Sequence, residues 1–157
     1  MLIGVISDTH GLLRPEALQA LAGAELIIHA GDIGKPQILQ QLRTIAPVHA
    51  VRGNTDRESW ARHLPGTQAI QVGGISLYVI HDLGSLDLDP VAAGFRVVIS
   101  GHSHRPSVRE LGGVLFINPG SAGPRRFDLP VSVAQLSVRS NHLQATLVEL
   151  DIEESHD

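Results

Sequence analysis

The chain has 157 residues, of which 43% are hydrophobic, and it carries a formal net charge of −4 with no cysteine. This length and hydrophobic content suit one domain with a single core, and the lack of cysteine excludes disulfides, thiolate metal sites and a cysteine nucleophile. The acidic balance argues against a general nucleic-acid surface, which is normally basic. No apolar run reaches the roughly 18 residues of a membrane span, and the N-terminus has no basic leader, so a cytoplasmic protein is expected.

The first third of the chain alternates predicted strands with predicted helices. Apolar runs at 2–7, 25–30 and 48–51 are typical of strands buried on both faces. Between them, segments 15–21 and 36–45 each begin at a proline and predict two short helices. This strand–helix–strand order implies a parallel sheet with right-handed crossovers.

The rest of the chain predicts hairpins. Three pairs of strand-like runs are each separated by a tight turn, and two adjacent glycines can supply the positive φ that such a turn needs. A helix-rich half followed by a hairpin-rich half suggests two sheets packed face to face with helices outside. One domain is expected over 1–152, with a frayed tail at 153–157. The predicted pairs are 68–72 with 75–80, 107–111 with 114–117, and 131–138 with 142–150, and another buried strand is predicted at 96–100.

Five short polar clusters follow these predicted strands. Strands aligned in a sheet bring their ends together, and open α/β sheets bind ligands beyond the carboxyl ends of their strands. Mixed oxygen and imidazole donors suit divalent transition metals, and a pair of such metals suits phosphate-ester hydrolysis. The clusters are Asp8-Thr9-His10, Gly31-Asp32, Gly53-Asn54, His81 and Gly101-His102-Ser103-His104.

The clusters also have local features and simpler explanations. The glycines at 31, 53 and 101 permit turns and close approach. Residues two apart, as at 8 and 10 or 102 and 104, would project to one side of an extended segment. Alternatively, Asp8 and Asp32 could cap the helices that begin near Pro15 and Lys35, and His81 could be an ordinary strand-end residue.

The order Asp-X-His, Gly-Asp, Gly-Asn, His, Gly-His-X-His resembles the calcineurin-like metallophosphoesterases. The short length, the stretch Asn118-Pro119-Gly120-Ser121 and the following Pro124-Arg125 resemble the small single-domain bacterial and archaeal phosphodiesterases of that superfamily. The resemblance extends from Ile3 to about Arg126. It implies an α/β fold in which two sheets form a sandwich flanked by helices, a four-layer arrangement.

The resemblance also implies a centre with two divalent ions, in which a metal-bridging hydroxide attacks phosphorus in line. Mn²⁺ is expected there, with Ni²⁺, Zn²⁺, Fe²⁺ and Co²⁺ as alternatives. Asp32 is expected to bridge the two ions. The implied ligands are Asp8, His10, Asp32 and His104 for the first ion and Asp32, Asn54, His81 and His102 for the second.

Substrate contacts are predicted at Asn54, Asp56 and Arg125. Two positions depart from the family pattern. Many members have histidine after Gly-Asn as an acid for the leaving group, whereas this chain has Thr55, which is no useful proton donor near neutrality. The family also commonly has glycine after the histidine at 81; here Asp82 either orients that histidine or starts a turn, and the turn is favoured.

Several other residues are candidates for a place at or near the site. His29 could support it from behind or be a satisfied buried histidine. The remaining candidates follow motif residues and could meet a phosphate (Arg57, Arg105, Arg126), could buttress the site through a turn (Asn118, Ser121), or lack ligand spacing (His49, His63, His142, and His156 in the tail).

The predicted function is therefore a metal-dependent phosphodiesterase acting on a small phosphodiester. The alternatives are a phosphomonoesterase, a cyclic-nucleotide hydrolase and a non-catalytic metal-binding scaffold of the same fold. No ligand position is vacant, which favours catalysis. No membrane partner is expected, and self-association into a homo-oligomer stays open.

Overall fold

The computed structural model describes residues 1–152, whose strands form two mixed sheets of five strands each. The elements in chain order are β1 (Leu2–Ile6), α1 (Pro15–Leu21), β2 (Leu26–His29), α2 (Pro36–Arg43), β3 (Val48–Ala50), β4 (Thr67–Val72), β5 (Ile75–Ile80), α3 (Pro90–Ala93), β6 (Val97–Ile99), β7 (Ser107–Leu111), β8 (Val114–Asn118), β9 (Ser132–Arg139) and β10 (His142–Glu149). The first sheet has the order β10-β9-β1-β2-β3 and the second β4-β5-β6-β8-β7. The predicted two-sheet α/β sandwich is confirmed.

Strand pairing follows the sequence pattern in both sheets. β1, β2 and β3 run parallel, as the alternation of strands and helices predicts. The three predicted hairpins are all present as antiparallel pairs. Gly73 and Gly74 have φ of 55° and 84° at the first turn, so glycine does supply the left-handed backbone there. The hairpin of β9 and β10 then closes the first sheet by pairing β9 with β1.

The differences from the sequence prediction are short elements and helix ends. α2 ends at Arg43, two residues before the predicted end. The chain then leads to Pro47, and the α conformation is disfavoured for the residue that precedes a proline. The four-residue helix α3 was not predicted, because one turn is too short to show helical periodicity. The sequence does contain a start signal for this helix, because Asp89 precedes a proline. In the structure the carboxylate of Asp89 caps the helix by accepting the backbone N–H of Val91 at 3.0 Å.

The main core lies between the two sheets, where the inward side chains of both are fully buried; examples are Ile3, Ile28, Leu77 and Ile99. α1 and α2 cover the outer face of the first sheet. Gly4 sits on that outer face, and a Cβ there would lie 2.7 Å from the Cδ2 atom of Leu21, so glycine lets α1 pack closely.

The outer face of the second sheet is covered by the segment 83–95, which packs Leu83, Leu86 and Phe95 against Tyr78 and Val98. This segment contains a 3₁₀ turn and α3, so the fourth layer is thin. Within residues 1–152, no helix is long and apolar enough to cross a membrane. The predicted tail at 153–157 lies outside the described residues.

Candidate metal centre

All seven predicted ligands lie in loops that follow the carboxyl ends of strands, at one edge of the sandwich. The first sheet contributes through the loops after β1, β2 and β3, and the second through the loops after β5 and β6. The site therefore spans both sheets. Asp8, His10, Asp32 and Asn54 come from the first sheet, and His81, His102 and His104 from the second.

Two carboxylates lie among histidines from both sheets. The Oδ1 atom of Asp8 is 3.8, 3.9 and 3.4 Å from the Nε2 atoms of His10, His81 and His104, respectively. The Oδ2 atom of Asp32 is 3.7 Å from His10 Nε2 and 3.3 Å from His81 Nε2. Asp8 with His10 and His104, and Asp8 with Asp32 and His81, form two groups whose ligand atoms lie within 4.8 Å of one another.

Both carboxylates face histidines assigned to each of the two predicted ions, so either has the position of a bridge. The assignment of this role to Asp32 stays a prediction. Asn54 and His102 are exposed at the mouth of the site, where Asn54 Oδ1 lies 3.2 Å from His102 Nδ1. These two residues thus form the side of the centre from which a substrate can approach.

Five of the seven residues have left-handed backbone. The φ angles are 56° for Asp8, 47° for His10, 56° for Asp32, 71° for His102 and 62° for His104. The expectation of extended segments at 8–10 and 102–104 is therefore wrong. A left-handed residue other than glycine costs about 1–2 kcal/mol, and such strain typically collects at functional sites.

Hydrogen bonds hold this strained backbone. The N–H of Asp8 donates to Gly31 O at 3.0 Å and that of His10 donates to Asp32 O at 2.9 Å, so the two loops stay paired beyond their strands. The hydroxyl of Ser121 donates to Asp8 O at 3.0 Å, which gives the predicted supporting turn a contact at the site. Across the sheets, the N–H of His102 donates to Asp8 Oδ2 at 3.1 Å.

Close approach explains two of the glycines in the clusters. A Cβ at Gly53 would overlap the carboxylate and backbone nitrogen of Asp32, and one at Gly101 would overlap Ser7 Oγ and lie 2.6 Å from Asp8 Oδ2. Neither glycine has positive φ, so space rather than backbone freedom requires glycine there. Ser7 itself donates to Asp8 Oδ2 at 2.7 Å. No pattern in the sequence predicts this role for Ser7, since a serine at a strand end is common.

Asp56 has a different place from the predicted substrate contact. Its carboxylate is buried and accepts backbone N–H groups from Ile33, Gly34 and Gly53 at 2.9 to 3.1 Å. These donors belong to the loops that carry Asp32 and Asn54. Asp56 therefore ties the two loops together from behind, and its lone pairs point away from the opening.

His29 is both satisfied and attached to the site. It is fully buried; its Nδ1 accepts the N–H of Gly31 at 3.1 Å, so its Nε2 carries the proton and donates to Thr9 Oγ1 at 3.0 Å. The Thr9 hydroxyl in turn donates to Ile33 O at 2.8 Å. His29 thus links the loop containing Asp8 to the loop containing Asp32. His49 instead pairs with Gln68, at 3.0 Å, away from the site.

The simpler explanations for the acidic residues receive no support. The N-cap residues of α1 and α2 are Arg14 and Lys35, and neither helix has a side-chain cap, so Asp8 and Asp32 are not capping residues. Asp82 does take the favoured turn role, since its Oδ1 accepts the N–H of Gly84 at 3.0 Å. His81 is oriented by another group.

The ring of His81 is oriented by the carbonyl oxygen of Ala30, which lies 2.7 Å from His81 Nδ1. A carbonyl can only accept, so Nδ1 carries the proton and neutral His81 presents the lone pair of Nε2 to the centre. Such hydrogen bonds behind a histidine fix its tautomer and orientation as a metal ligand. The contact also joins the two sheets, because Ala30 follows β2 and His81 follows β5.

The electrostatics favour a negatively charged centre. Burial alone would raise the pKa of Asp8, but contacts with His104, Ser7 and His81 outweigh it and hold the pKa below its ordinary value. Asp32 follows the same pattern: His81 and the backbone N–H of Thr55 overcome burial and hold its pKa far below the usual range. Both carboxylates are therefore ionised near neutrality, which favours cation binding.

Burial lowers the pKa of His10, and Asp32 and Asp8 only partly oppose it. Neutral imidazole is the form that coordinates a metal. For His81, burial is outweighed by Asp32 and Asp8, which raise its pKa. The two carboxylates thus favour the protonated form of His81.

Buried polar atoms without partners mark where a cation fits. Within residues 1–152, Asp8 Oδ1, His10 Nε2 and His81 Nε2 are buried, make no hydrogen bond and lie together at the centre; the other such atoms are His104 Nδ1, Glu16 Oε2 and Trp60 Nε1. Leaving one such atom unsatisfied costs about 1–3 kcal/mol, so three in one place are exceptional in a folded domain. Divalent ions held by these carboxylate and imidazole groups would satisfy several of them at once, and the donor set fits transition metals.

The candidate arginines fall in different places. Arg125 Nε donates to Leu129 O at 3.2 Å, and the residue borders a cavity that also includes Glu149 and Asp151. Arg126 contributes to the lowered pKa of His10, so its charge acts on the centre. Arg126 is therefore a second candidate for a phosphate contact, and the contact by Arg125 stays a prediction. The sequence could not separate two adjacent arginines in a loop.

Comparison with known proteins agrees with this geometry. The sequence profile of the calcineurin-like phosphoesterase superfamily domain matches residues 1–141. The chain belongs to this superfamily. A probable metallophosphoesterase of Methanothermobacter thermautotrophicus is 39% identical over 160 residues, covering 94% of this chain and 92% of that protein. The family resemblance of the motifs is thereby confirmed, and this superfamily is metal-dependent.

Solved structures confirm the fold. An archaeal phosphodiesterase superposes with a TM-score of 0.78 at 23% identity, covering 94% of this chain and all (100%) of that one. The Zn²⁺ complex of Vps29 from Entamoeba histolytica gives a TM-score of 0.76 at 23% identity, covering 96% of this chain and 100% of that one. The same sandwich is thus found in a phosphodiesterase and in a vacuolar sorting protein.

Proposed function

We propose that the protein is a phosphodiesterase that uses two divalent ions held by the seven predicted ligands. The observation that carries the proposal is the set of unpartnered buried atoms on Asp8, His10 and His81, which lie together with His104 and the carboxylate of Asp32. The similarity to a probable metallophosphoesterase and to the fold of an archaeal phosphodiesterase supports it.

When bound, two such ions activate a water molecule near neutral pH and neutralise charge on the phosphoryl oxygens. The chain's own groups set the conditions for this chemistry. Asp8 and Asp32 supply two negative charges, and Ala30 holds His81 in the tautomer that presents Nε2. Asn54, exposed at the opening, is placed to donate its amide N–H to a phosphoryl oxygen. Arg125 stays the predicted cationic contact, and Arg126, which contributes to the lowered pKa of His10, is proposed beside it.

Thr55 cannot act as a strong acid that protonates the leaving group. Its backbone N–H donates to Asp32 Oδ1 at 2.9 Å, so the residue positions a carboxylate. The departing oxygen must then leave as an anion or take a proton from water. Because general acids contribute about 10²–10⁴-fold, log kcat/KM should fall steeply as leaving-group pKa rises. A nearly flat dependence would show that another residue supplies the proton.

The function is tested by metal analysis and hydrolysis of matched aryl esters. Full-length protein loaded with Mn²⁺ should hold two ions per chain and hydrolyse bis(p-nitrophenyl) phosphate faster than p-nitrophenyl phosphate. Preference for the monoester would instead favour a phosphomonoesterase, and a 2′,3′-cyclic nucleotide substrate would reveal a cyclic-nucleotide hydrolase. Two ions without turnover on any ester would favour a metal-binding scaffold.

A further inference from the structure

Two open grooves border the predicted metal centre on the side of the second sheet. One has a volume of about 460 Å³ and lies between the turn at 82–85 and strands β7 and β8. The other, of about 560 Å³, lies on the far side of that turn, beside Arg52 and Tyr78. Asp82 and His102 line both grooves, so the grooves meet at the exposed histidine of the centre.

The two grooves differ in charge. The first, here the basic groove, is lined by Arg105, Arg109 and one carboxylate, Asp82, which gives +2 − 1 = +1 with histidine neutral. The second, here the acidic groove, is lined by Arg52 with Asp82 and Asp87, which gives +1 − 2 = −1. A diester whose two substituents lie one in each groove therefore meets opposite charges.

The arginines of the basic groove are available to a ligand. Neither guanidinium makes a hydrogen bond or an ion pair with any residue from 1 to 152. By contrast, Arg52 Nη1 donates to Leu64 O at 3.3 Å. An unpaired guanidinium presents a planar fork that matches phosphate oxygens.

The register of the second sheet gives the distance from the centre. Ser107 pairs with Asn118, whose amide donates to Gly101 O and Ser103 Oγ at 3.0 and 3.1 Å, so this level touches the histidine loop. Arg109 lies two residues farther along β7, which is about 7 Å at the usual rise of a strand. It pairs with Phe116, which also lines the basic groove.

We propose that the basic groove binds a substituent that carries a second phosphate group, while the acidic groove holds the other, uncharged substituent of the diester. Arg109 and Arg105 would contact that second phosphate. The proposal rests on the proposed function and narrows it to one substrate class: phosphodiesters in which one arm ends in a further phosphate a few bonds from the reacting phosphorus.

The test uses two p-nitrophenyl alkyl phosphodiesters with arms of equal length, one ending in phosphate and one in hydroxyl. With full-length Mn²⁺-loaded protein, the phosphate-ended substrate should have a KM lower by about three- to tenfold, the range for one charge-assisted contact in a partly solvated groove. The advantage should appear in KM, because the distal contact is the same in ground and transition states. Arg109→Gln should remove most of it.

Arg96→Gln is the matched control, since Arg96 is an exposed arginine that directly precedes β6 of the same sheet and lines a different cavity. It should keep the preference. Equal loss in both variants, or an equal KM for the two substrates in the unmodified protein, would overturn the proposal, because the effect would then be general attraction or absent.

A binding measurement separates this proposal from the proposed function. Calorimetric titration with the corresponding non-hydrolysable phosphonates should show the same preference for the phosphate-ended arm and the same loss in Arg109→Gln. Tight preferential binding without hydrolysis of either diester would reject the phosphodiesterase and keep the groove assignment. Hydrolysis of both diesters without preference in either measurement would reject the groove and keep the phosphodiesterase.

Discussion

The two edges of the sandwich both use left-handed backbone, but with different residues. At the edge that carries the hairpin turns, glycine supplies it at positions 73, 74, 112 and 113, and Ser140 supplies it in the third turn. At the edge that carries the candidate centre, two aspartates and three histidines adopt it, beside glycines such as Gly34. Glycine would avoid the strain at those five positions and would also remove the candidate ligand. Five of the seven left-handed residues other than glycine within residues 1–152 are thus candidate ligands, so this strain collects mainly where the side chain is needed.

The largest expected effect comes from removing charge at the strained edge without changing its backbone. Asp32→Asn keeps a side chain that tolerates φ near 56°, so the fold should remain. The variant should lose most bound metal, and kcat/KM should fall by at least about a thousandfold, because metals supply several kcal/mol of transition-state stabilisation. Elemental analysis and diester hydrolysis measure both losses.

Asp82→Asn is the control. Asp82 accepts the N–H of Gly84 in a neighbouring turn, and the side-chain oxygen of asparagine can accept the same hydrogen bond. It should keep both ions. Normal metal content and turnover in Asp32→Asn would contradict the assignment of Asp32 as a ligand.

Space differs between the two edges as well. A Cβ at Gly34, where φ is 94°, would overlap the backbone of His10 and Gly11, whereas one at Gly74, where φ is 84°, meets nothing within 4 Å. Gly34→Ala should therefore lower the free energy of unfolding through two costs, about 1–2 kcal/mol for left-handed backbone and about 1–3 kcal/mol for overpacking. Gly74→Ala should show only the first cost. Urea unfolding of both metal-free variants gives the difference, and equal losses would contradict the packing assigned to the loop at 34.

A pH dependence of stability should arise behind the strained edge. Burial lowers the pKa of His29 to about 4, below the unfolded value of about 6.5. The folded state thus binds fewer protons, so the stability contributed by His29 is complete above about pH 6.5 and is lost as the pH falls toward 4. As the pH falls from about 6.5 to about 4.5, the free energy of unfolding of the metal-free protein should decrease by roughly 2–3 kcal/mol more than that of the His29→Asn variant.

In His29→Asn the side-chain oxygen can still accept the N–H of Gly31. Urea titrations at several pH values measure both proteins, and the other titrating groups are common to both. Parallel curves would mean that His29 is not held neutral in the folded state.

The smallest expected effect is also the most direct test of strain. In an ordinary loop, alanine is at least as stabilising as glycine. At position 102, where φ is 71° and the side chain is exposed, the order should be reversed. Metal-free His102→Gly should be more stable than His102→Ala by about 1 kcal/mol. An advantage for alanine would show that the backbone relaxes once the histidine is gone.

The sequence predicted the parallel strands, the hairpins and the residues at the centre, because each leaves a local mark. Apolar runs mark strands, paired glycines mark turns, and a Gly-His-X-His cluster marks ligands. The left-handed conformations of Asp8 and His102 leave no such mark, since they are imposed by hydrogen bonds from loops that are distant in sequence.

The same limit applies to Asp56 and Arg125. The position of Asp56, two residues after Asn54, predicts contact with substrate. In the structure its carboxylate instead accepts three backbone N–H groups from two loops. For Arg125, a two-residue motif predicts a contact with substrate, and the sequence has no mark for the adjacent Arg126, which contributes to the lowered pKa of His10. The role of Asp56 and the effect of Arg126 both depend on the packing of segments far apart in the chain.

Strand β1 lies inside its sheet, between β2 and β9, and Val5 pairs with Ala134. The hairpin of β9 and β10 contributes none of the seven predicted ligands. All seven are therefore synthesised before the strand that pairs with β1 on the side away from β2. The backbone that carries Asp8 thus gains its second neighbour from a hairpin that supplies no candidate ligand, so the support of the centre and its donor groups come from separate parts of the chain.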